Sequence, residues 1–221
     1  MTQHSLARSY RWLAVLILVL LTGVATAADT PPPEQPFKAD VAPGEAVAIF
    51  AGGCFWCTES DFDAVKGVVS TTSGYTGGHV DNPKYGDVTG EQSGHSEAVK
   101  IVYNTDETDY DALLDVYWHS VDPTDAGGQF CDRGDSYRTK IFAVNDDQMQ
   151  AAKASKQALE NDPDAPKPIV TPIVAATTFY PAEAYHQNYY KKNPLRYKFY
   201  RSSCRRDATL EKVWGDEAGS H

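Results

Sequence analysis

The stretch AVAIFAGGCFWCTESDFDAVKGVVSTTSGY, residues 46–75, decides the fold of this chain. The continuous apolar run Ala46–Ala51 predicts a buried strand, and Gly52-Gly53 after it predicts a turn. A helix is predicted from about Cys54 to Lys66, and a second strand from Val68 to Tyr75. A strand, a helix and a second strand in close succession predict helices packed on a sheet.

The elements that follow extend this pattern and are predicted from periodicity and turn residues. They are a loop over 76–94, a strand over 96–103, a helix begun by Asp109, a second loop over 121–137, a strand over 139–144, a helix over 146–161, an extended edge segment over 169–176, and a last helix from Pro181 through Tyr190 that Pro194 ends. This order favours an α+β sandwich in which helices pack on a mixed β-sheet. Both long loops are candidates for function, because unstructured loops of about 15 residues are uncommon in compact domains.

The composition limits the class of protein. The chain has 221 residues, 42% of them hydrophobic, which is enough for the core of one domain. Its 20 basic and 30 acidic residues give a formal charge of −10. This charge argues against a nucleic-acid partner, because phosphate binding needs clustered Lys and Arg.

The N-terminal residues predict export. Arg8 and Arg11 precede a short apolar run, Trp12–Leu21, and small residues follow at Ala25-Thr26-Ala27. This is the pattern of a secretory signal peptide over residues 1–27, and the apolar run is too short for a membrane span of about 20 residues. Its removal would take away two basic residues and no acidic ones, which changes the formal charge to −12.

We therefore expect a periplasmic or secreted protein with no stable membrane insertion after cleavage. Residues 28–44 hold five prolines and predict an extended tether. Residues 45–221 then form the domain that carries the chemistry.

Cys54 is the strongest chemical feature, because it follows a glycine turn and occupies the first turn of the predicted helix. Free backbone N–H groups and the helix dipole at this position favour a thiolate, so Cys54 is a candidate nucleophile. A buried structural cysteine is the plainer interpretation.

Three classes of chemistry can be built on this cysteine. The Cys54-x-x-Cys57 spacing is typical of disulfide exchange enzymes, with Pro172 as the proline placed opposite it. A cysteine with His95, His119 or His186 as its base would indicate a hydrolase. A zinc site is weakly supported, because a second pair of ligands at suitable spacing is absent from the sequence.

Seven motifs, in order, carry a family resemblance over about residues 47–214. They are Gly53-Cys54-Phe55-Trp56-x-x-Glu59, Gly74-Tyr75-Thr76-Gly77-Gly78, Asn82-Pro83-x-Tyr85, Gly94-His95-x-Glu97-Ala98-Val99, Asp122-Pro123-Thr124, Asp132-Arg133-Gly134-x-x-Tyr137-Arg138 and Ala182-Glu183-x-Tyr185-His186-Gln187. In this set and order the chain resembles peptide methionine sulfoxide reductases of the A type. The resemblance implies a ferredoxin-like α+β core and thiol-dependent reduction of the S epimer of methionine sulfoxide, free or within proteins.

The resemblance also implies roles for individual residues. Cys54 is the nucleophile, Glu97 the acid, Tyr85 and Tyr137 the hydroxyls directed at the sulfoxide oxygen, Asp132 the residue that orients them, and Phe55 and Trp56 the apolar pair that holds the substrate methyl group. His95 and His186 are expected to form structural hydrogen bonds. An acid is chemically required because the sulfoxide oxygen must be protonated as its bond to sulfur breaks, and apolar neighbours would keep Glu97 neutral.

Attack by Cys54 would leave a sulfenic acid, which a second thiol must resolve. Position 57, usually Gly in the family, is Cys57 here, so Cys204, Cys57 and Cys131 are all candidates, preferred in that order. A Cys54–Cys57 bond requires Cys54 to lie at the helix cap, because Cβ atoms of residues i and i+3 in a helix are about 5–6 Å apart and a disulfide needs about 3.5–4.5 Å.

The expected enzyme needs no bound cofactor and no metal, acts as a monomer that repairs oxidised exported proteins, and is recycled by a thioredoxin-like donor. The basic stretch Lys191–Lys212 is either a solvated surface or a docking site for an acidic donor. The alternatives are a secreted thioredoxin-like disulfide oxidoreductase that uses Cys54 and Cys57, and a binding module without catalytic activity.

Overall fold

The structure is a computed structural model that describes residue 1, residue 37 and residues 40–219. Every described residue except the first belongs to one compact unit. The predicted signal peptide and most of the predicted tether lie outside the described residues. Within the described part, no helix has both the length and the apolar character that a membrane span requires.

Eight strands and seven α-helices are found in the described residues. The strands are β1 (Glu45–Ala51), β2 (Val68–Thr76), β3 (Ser96–Asn104), β4 (Gly128–Gln129), β5 (Asp132–Arg133), β6 (Lys140–Ala143), β7 (Ile173–Ala175) and β8 (Tyr180–Pro181). The helices are α1 (Phe55–Asp63), α2 (Tyr85–Thr89), α3 (Tyr110–His119), α4 (Asp146–Asn161), α5 (Tyr189–Lys192), α6 (Pro194–Ser203) and α7 (Arg206–Trp214).

The main sheet has six strands in the order β7-β6-β1-β3-β2-β8. All neighbours in it are antiparallel except β6 and β7, so the sheet is mixed. Its central strands β6-β1-β3-β2, connected through α1 and α3, have the β-α-β-β-α-β connectivity of a ferredoxin-like core. The predicted α+β class and the ferredoxin-like core are confirmed.

The central strand β1 is buried on both faces, as its continuous apolar sequence predicts. Ala48 and Phe50 face the core beneath the helices, and Val47 and Ile49 face a second apolar cluster. The ring of Phe50 packs against Phe62 of α1, with ring centroids 5.3 Å apart. This packing fixes α1 directly after β1 and so positions the turn between them.

Most local predictions are confirmed. Asp109 caps α3 by accepting a hydrogen bond from the Ala112 N–H at 2.8 Å, and α4 has the predicted bounds. Helix α1 ends at Asp63, three residues earlier than predicted. The predicted loops contain short elements, namely α2 in the first and β4, β5 and a 3-10 helix at Asp135–Tyr137 in the second.

The prediction of a last helix from Pro181 through Tyr190 is wrong. Tyr180–Pro181 forms a strand beside β2, and tertiary hydrogen bonds hold the next residues in place. Glu183 accepts hydrogen bonds from the Tyr85 N–H and the Tyr75 hydroxyl, and the Gln187 side chain bonds both backbone groups of Ser73. Pro194 begins α6 rather than ending a helix, because proline fits the first turn where its missing N–H is not needed.

The C-terminal segment returns to the β1–α1 turn through a buried arginine. The Arg206 guanidinium donates to the Gly52 carbonyl at 3.1 Å and to the Ser120 carbonyl at 2.7 Å, and its side chain is 1% exposed. Arg201 donates to Asp61 of α1 at 2.6 Å. Arg206 therefore anchors α7 and is not part of the exposed basic surface expected for residues 191–212.

Candidate active site

The turn between β1 and α1 places Cys54 at the helix N-cap, where its side chain is 7% exposed. Gly53 adopts a φ of +86°, and a Cβ there would lie 2.6 Å from the Cβ of Gln129. Gln129 is itself held by hydrogen bonds to both backbone groups of Asp122. The glycine is therefore required, because it lets the second long loop pack directly against the turn that carries Cys54.

Glu97 lies beside Cys54 because β3 is the neighbour of β1. Its carboxylate accepts a hydrogen bond from the Phe55 N–H, the first helical amide of α1, at 3.0 Å. The side chain is 2% exposed, and this burial raises the pKa of Glu97 to about 8, with a further upward effect from Asp132. At neutral pH the carboxyl group is therefore mostly protonated and able to donate a proton.

Cys54 and Cys57 are free, buried thiols that hydrogen-bond to each other. Burial raises the pKa of Cys54, and the neighbouring Cys57 and Glu97 raise it further. The hydrogen bond from Cys54 lowers the pKa of Cys57 against the opposing effect of burial, and the nearby positive charge of Arg206 adds to this lowering. The prediction that the helix N-terminus lowers the pKa of Cys54 is wrong for this state, because Cys54 forms no side-chain capping hydrogen bond and the first helical amide binds Glu97.

Tyr137 and Tyr85 complete a hydroxyl network around Glu97. The Tyr137 hydroxyl interacts electrostatically with the Glu97 carboxyl group and with the Tyr85 hydroxyl. Tyr85 begins α2, and the bond from its N–H to Glu183 fixes that helix to the segment after β8. Burial raises the pKa of both tyrosines, so both hydroxyls keep their protons at neutral pH.

Asp132 binds a residue that sequence reasoning missed. The Tyr200 hydroxyl of α6 donates a short hydrogen bond to the Asp132 carboxylate and also interacts electrostatically with the Cys54 thiol. Burial raises the pKa of Asp132, and the hydrogen bond from Tyr200 opposes that effect. The sequence offers no local signal for Tyr200, since it is one of 13 tyrosines and its helix is absent from the prediction.

Phe55 and Trp56 point to different neighbours, as expected for adjacent residues on a helix. Phe55 is 1% exposed and packs against His186 with ring centroids 4.9 Å apart. The half-buried Trp56 donates its indole N–H to Nδ1 of His186 at 3.0 Å and stacks on Tyr189 at 3.7 Å. They form an apolar wall next to Cys54.

The histidines have structural partners. His186 accepts from Trp56, and His95 accepts from the Gly78 N–H at 3.1 Å and bonds the Val80 carbonyl through its other ring nitrogen. His119 lies at the end of α3, and its ring nitrogens are 3.4 Å from a carboxylate oxygen of Asp115 and 3.5 Å from one of Glu217. The expected structural roles of His95 and His186 are confirmed, and no described histidine hydrogen-bonds to Cys54, so the hydrolase alternative lacks its base.

Cys131 and Cys204 form a disulfide that joins the second long loop to the end of α6, with Cα atoms 4.8 Å apart. Cys131 is exposed and Cys204 is half-buried. Within the described residues these two sulfurs and Asp132 lie close enough together to suggest a metal site, but sulfurs bonded to each other cannot act as thiolate ligands.

The arrangement therefore places a nucleophilic sulfur against a neutral carboxylic acid, two neutral phenols and an apolar wall. Such a site can attack an electrophilic sulfur and protonate an oxygen that leaves it. It brings together Cys54, Glu97, Tyr85, Tyr137, Phe55, Trp56 and Cys57, with Asp132 connected through Tyr200. The disulfide holds Cys131 and Cys204 at its edge.

Comparison with known proteins gives consistent matches. Residues 46–218 match the family model described as peptide methionine sulfoxide reductase. A reductase named MsrA 2 from Rhizobium meliloti is 51% identical over 77% of this chain and 84% of its own length, and MsrA from Bacillus subtilis is 50% identical over 76% and 96%.

Two solved structures are similar in fold. Methionine sulfoxide reductase A of Corynebacterium diphtheriae has a TM-score of 0.63 and 29% identity, covering 74% of this chain and 84% of that one. Reduced Mxr1 from Saccharomyces cerevisiae has a TM-score of 0.62 and 28% identity, covering 69% and 88%.

The raised pKa of Glu97 predicts that the free energy of unfolding decreases as pH rises. The unfolded chain releases this proton near the ordinary value of 4.5, and the folded chain retains it up to about 8. The contribution of Glu97 to the free energy of unfolding is therefore full below pH 4.5 and is lost as pH rises towards 8. Glu97→Gln cannot titrate, so its free energy of unfolding should increase relative to that of the wild type as pH rises from 4.5 to about 8.

Urea unfolding at pH values of about 5, 6.5 and 8.5 measures the difference. Glu211→Gln, which removes an exposed carboxylate from α7, is the matched control for the loss of one negative charge. A stability difference between Glu97→Gln and the wild type that stays constant with pH would show that Glu97 titrates normally.

Proposed function

The chain belongs to the peptide methionine sulfoxide reductase family, and on that premise we propose that it reduces the S epimer of methionine sulfoxide through attack by Cys54. As a member of this family it is an oxidoreductase that reduces methionine sulfoxide by cysteine chemistry. The observation that carries the proposed mechanism is the buried Glu97 carboxyl group, bonded to the Phe55 amide beside Cys54.

In the first step the Cys54 sulfur attacks the sulfoxide sulfur while Glu97 protonates the leaving oxygen. The attack forms a bond between the two sulfurs. The protonated oxygen then moves from the substrate sulfur to the Cys54 sulfur as this sulfur–sulfur bond and the original sulfur–oxygen bond break, so methionine is released and Cys54 becomes a sulfenic acid. The Cys54 proton replaces the one that Glu97 gives, so the step needs no proton from solvent. Tyr85 and Tyr137 stay neutral and can donate hydrogen bonds to the oxygen as its negative charge grows.

We propose Cys57 as the first resolving thiol, in preference to Cys204. Cys57 is free, hydrogen-bonded to Cys54 and the more acidic of the pair, whereas Cys204 is bonded to Cys131. Cys54 lies at the N-cap with φ −56° and ψ 119°, outside helical geometry, which is the condition for a bond to Cys57. Attack by the Cys57 thiolate on the sulfenic sulfur forms the Cys54–Cys57 disulfide and releases water.

A thiol–disulfide exchange then transfers the disulfide from the Cys54–Cys57 pair to the Cys131–Cys204 pair. When Cys131 and Cys204 are reduced, their two thiols give two electrons and two protons to the Cys54–Cys57 disulfide and become a disulfide themselves. The product of this exchange is the state in the structure, with Cys54 and Cys57 free and Cys131–Cys204 bonded. Cys131 directly precedes Asp132 and Cys204 lies one helical turn after Tyr200, so both cysteines adjoin residues of the Cys54 site.

The exposed position of Cys131 supports reduction of this disulfide by an external thioredoxin-like dithiol, so no bound cofactor is needed. The signal-peptide pattern of residues 1–27 supports periplasmic or secreted location and, with it, repair of oxidised exported proteins. We propose that the enzyme acts as a monomer. A mature protein that begins at Ala28 and is recovered outside the cytoplasm would support export, and an uncut cytoplasmic chain would exclude it.

The reaction is tested by single turnover without a donor. Because one oxygen is transferred per Cys54, enzyme with an intact Cys131–Cys204 disulfide should release about one equivalent of methionine from the S epimer and none from the R epimer. Glu97→Gln should slow this release about 100-fold or more, and Cys54→Ser should abolish it while its circular dichroism spectrum stays that of the wild type. Release by Cys54→Ser, or equal release from both epimers, would contradict the proposal.

The proposed exchange between the two cysteine pairs predicts that the amount of methionine released per enzyme depends on whether Cys131 and Cys204 are reduced. Fully reduced enzyme should release about two equivalents of methionine, because exchange with Cys131 and Cys204 regenerates Cys54 once. Cys57→Ser should retain one rapid equivalent and accumulate a sulfenic acid that dimedone traps. Disulfide mapping that finds a Cys54–Cys204 bond in the wild type, with no Cys54–Cys57 bond at any time, would make Cys204 the resolving residue.

A further inference from the structure

Helix α6 exposes two large apolar side chains that have no packing role in the fold. Leu195 is 83% exposed and Phe199 is 75% exposed. They are four residues apart, so they lie together on one face of the helix. The opposite face carries Tyr197, which is 7% exposed and packs into the protein. Exposed apolar groups next to each other at a protein surface commonly mark a binding site.

These side chains line a groove of about 560 Å³, which we call the α6 groove, together with four other residues: Trp56, Tyr189, Arg196 and Tyr200. Trp56 and Tyr189 stack nearly parallel, with an angle of 6° between their rings. The edge of Tyr200 meets Trp56 with ring centroids 5.7 Å apart. A preformed aromatic surface of this kind can bind an apolar side chain at little entropic cost.

The α6 groove is continuous with the active site. Trp56 is in the first turn of α1, two residues after Cys54, and Tyr200 donates a hydrogen bond to Asp132 of the site and packs its ring edge against Trp56. A residue attached to the substrate would therefore pass from Cys54 over Trp56 and Tyr200 into the groove. An extended chain advances about 3.3 Å per residue, so side chains one to three residues from the reacting methionine sulfoxide would reach it.

The charge around the groove is opposite to that of the whole protein. Arg196 lines the groove and Lys198 is exposed beside it on α6, and neither forms an ion pair with any residue that the structure describes. The complete chain carries a formal charge of −10. This local positive charge favours an acidic group near the apolar side chain of the occupant.

We propose that the α6 groove binds the segment of an oxidised, unfolded polypeptide that flanks its methionine sulfoxide, and selects segments with a large apolar residue and an acidic residue. The proposal rests on the proposed function and deepens it by naming the class of protein substrate. Leu195 and Phe199 contact the apolar residue, and Arg196 attracts the acidic one. Free methionine sulfoxide does not extend into the groove and gains nothing from it.

A docking site for the electron donor fits the same surface less well. The donor must reach the Cys131–Cys204 disulfide at the end of α6, nine residues beyond Leu195. At about 1.5 Å per residue Leu195 lies roughly 13 Å from Cys204 along the helix, and Phe199 and Tyr200 lie about 6–8 Å from it. Only the end of the groove at Phe199 and Tyr200 therefore adjoins the disulfide. The groove instead shares Trp56 and Tyr200 with the end of the site where the substrate reacts.

The test compares single-turnover rates, without donor, on three substrates: free methionine S-sulfoxide, a peptide with Phe and Asp flanking methionine S-sulfoxide, and the same peptide with Ser at both positions. For wild-type enzyme, the second-order rate constant of methionine release from the Phe and Asp peptide should exceed that from the Ser peptide about tenfold or more. The double variant Leu195→Ser/Phe199→Ser should lose most of this preference. Arg196→Ser should lose only the part that depends on Asp.

The matched control is Val69→Ser, which removes another exposed apolar side chain, 55% exposed, from β2. It should leave all three rates unchanged, and the double variant should leave the rate on free methionine sulfoxide unchanged. Failure of wild-type enzyme to reduce free methionine S-sulfoxide and both peptides would refute the proposed function itself. Reduction of these substrates without any preference for the Phe and Asp peptide would refute only the α6 groove as a substrate site.

Two other results would assign the surface to another occupant and overturn the proposal. In the first, the double variant keeps the single-turnover peptide preference but slows turnover driven by a thioredoxin-like protein, which would make the groove a donor site. In the second, the wild type sediments as a dimer and the double variant as a monomer with the same peptide preference, which would make it a surface for self-association.

Discussion

The hydrogen bond from the Phe55 amide to the Glu97 carboxylate is the interaction on which the active site depends. It joins the first turn of α1 to the neighbouring strand β3, so the nucleophile and its acid are fixed by the sheet rather than by flexible loops. It also gives the first helical amide to Glu97, which leaves Cys54 without a capping hydrogen bond. Burial then keeps the Glu97 carboxyl protonated despite this contact, because the loss of hydration outweighs one backbone hydrogen bond.

The C-terminal segment supplies the other side of the site. Arg206 anchors it to the Gly52 carbonyl, two residues before Cys54, and the disulfide anchors Cys204 beside Asp132. Directly before these anchors in the chain, α6 places Tyr200 against Asp132 and Cys54 and turns Leu195 outward. One helix thus contributes to the reacting centre, to the proposed recycling route and to the proposed binding of polypeptide substrates.

The parts of the fold that could be predicted from sequence are those that local chemistry determines. The apolar run of β1, its glycine turn and the Asp109 cap each act within a few residues, and motif resemblance identified the residues around Cys54. The parts that could not be predicted depend on distant contacts. Residues 182–187 resemble a helix start after Pro181 but are held by bonds to Ser73 and Tyr85, more than 90 residues earlier. The raised pKa of Cys54 likewise arises from burial, which the helix-terminus pattern does not report.

The protonation state of Glu97 tests the central claim most directly. Infrared spectra of the wild type and of Glu97→Gln are recorded at a series of pH values, with all other active-site residues unchanged. Their difference would show the carbonyl stretch of the Glu97 carboxyl group when it is protonated. Because the pKa of Glu97 is raised to about 8, this band should be present at pH 7 and disappear only as pH rises through that value. Its absence at pH 7, with a carboxylate signal in its place, would contradict the account of Glu97 as the proton donor.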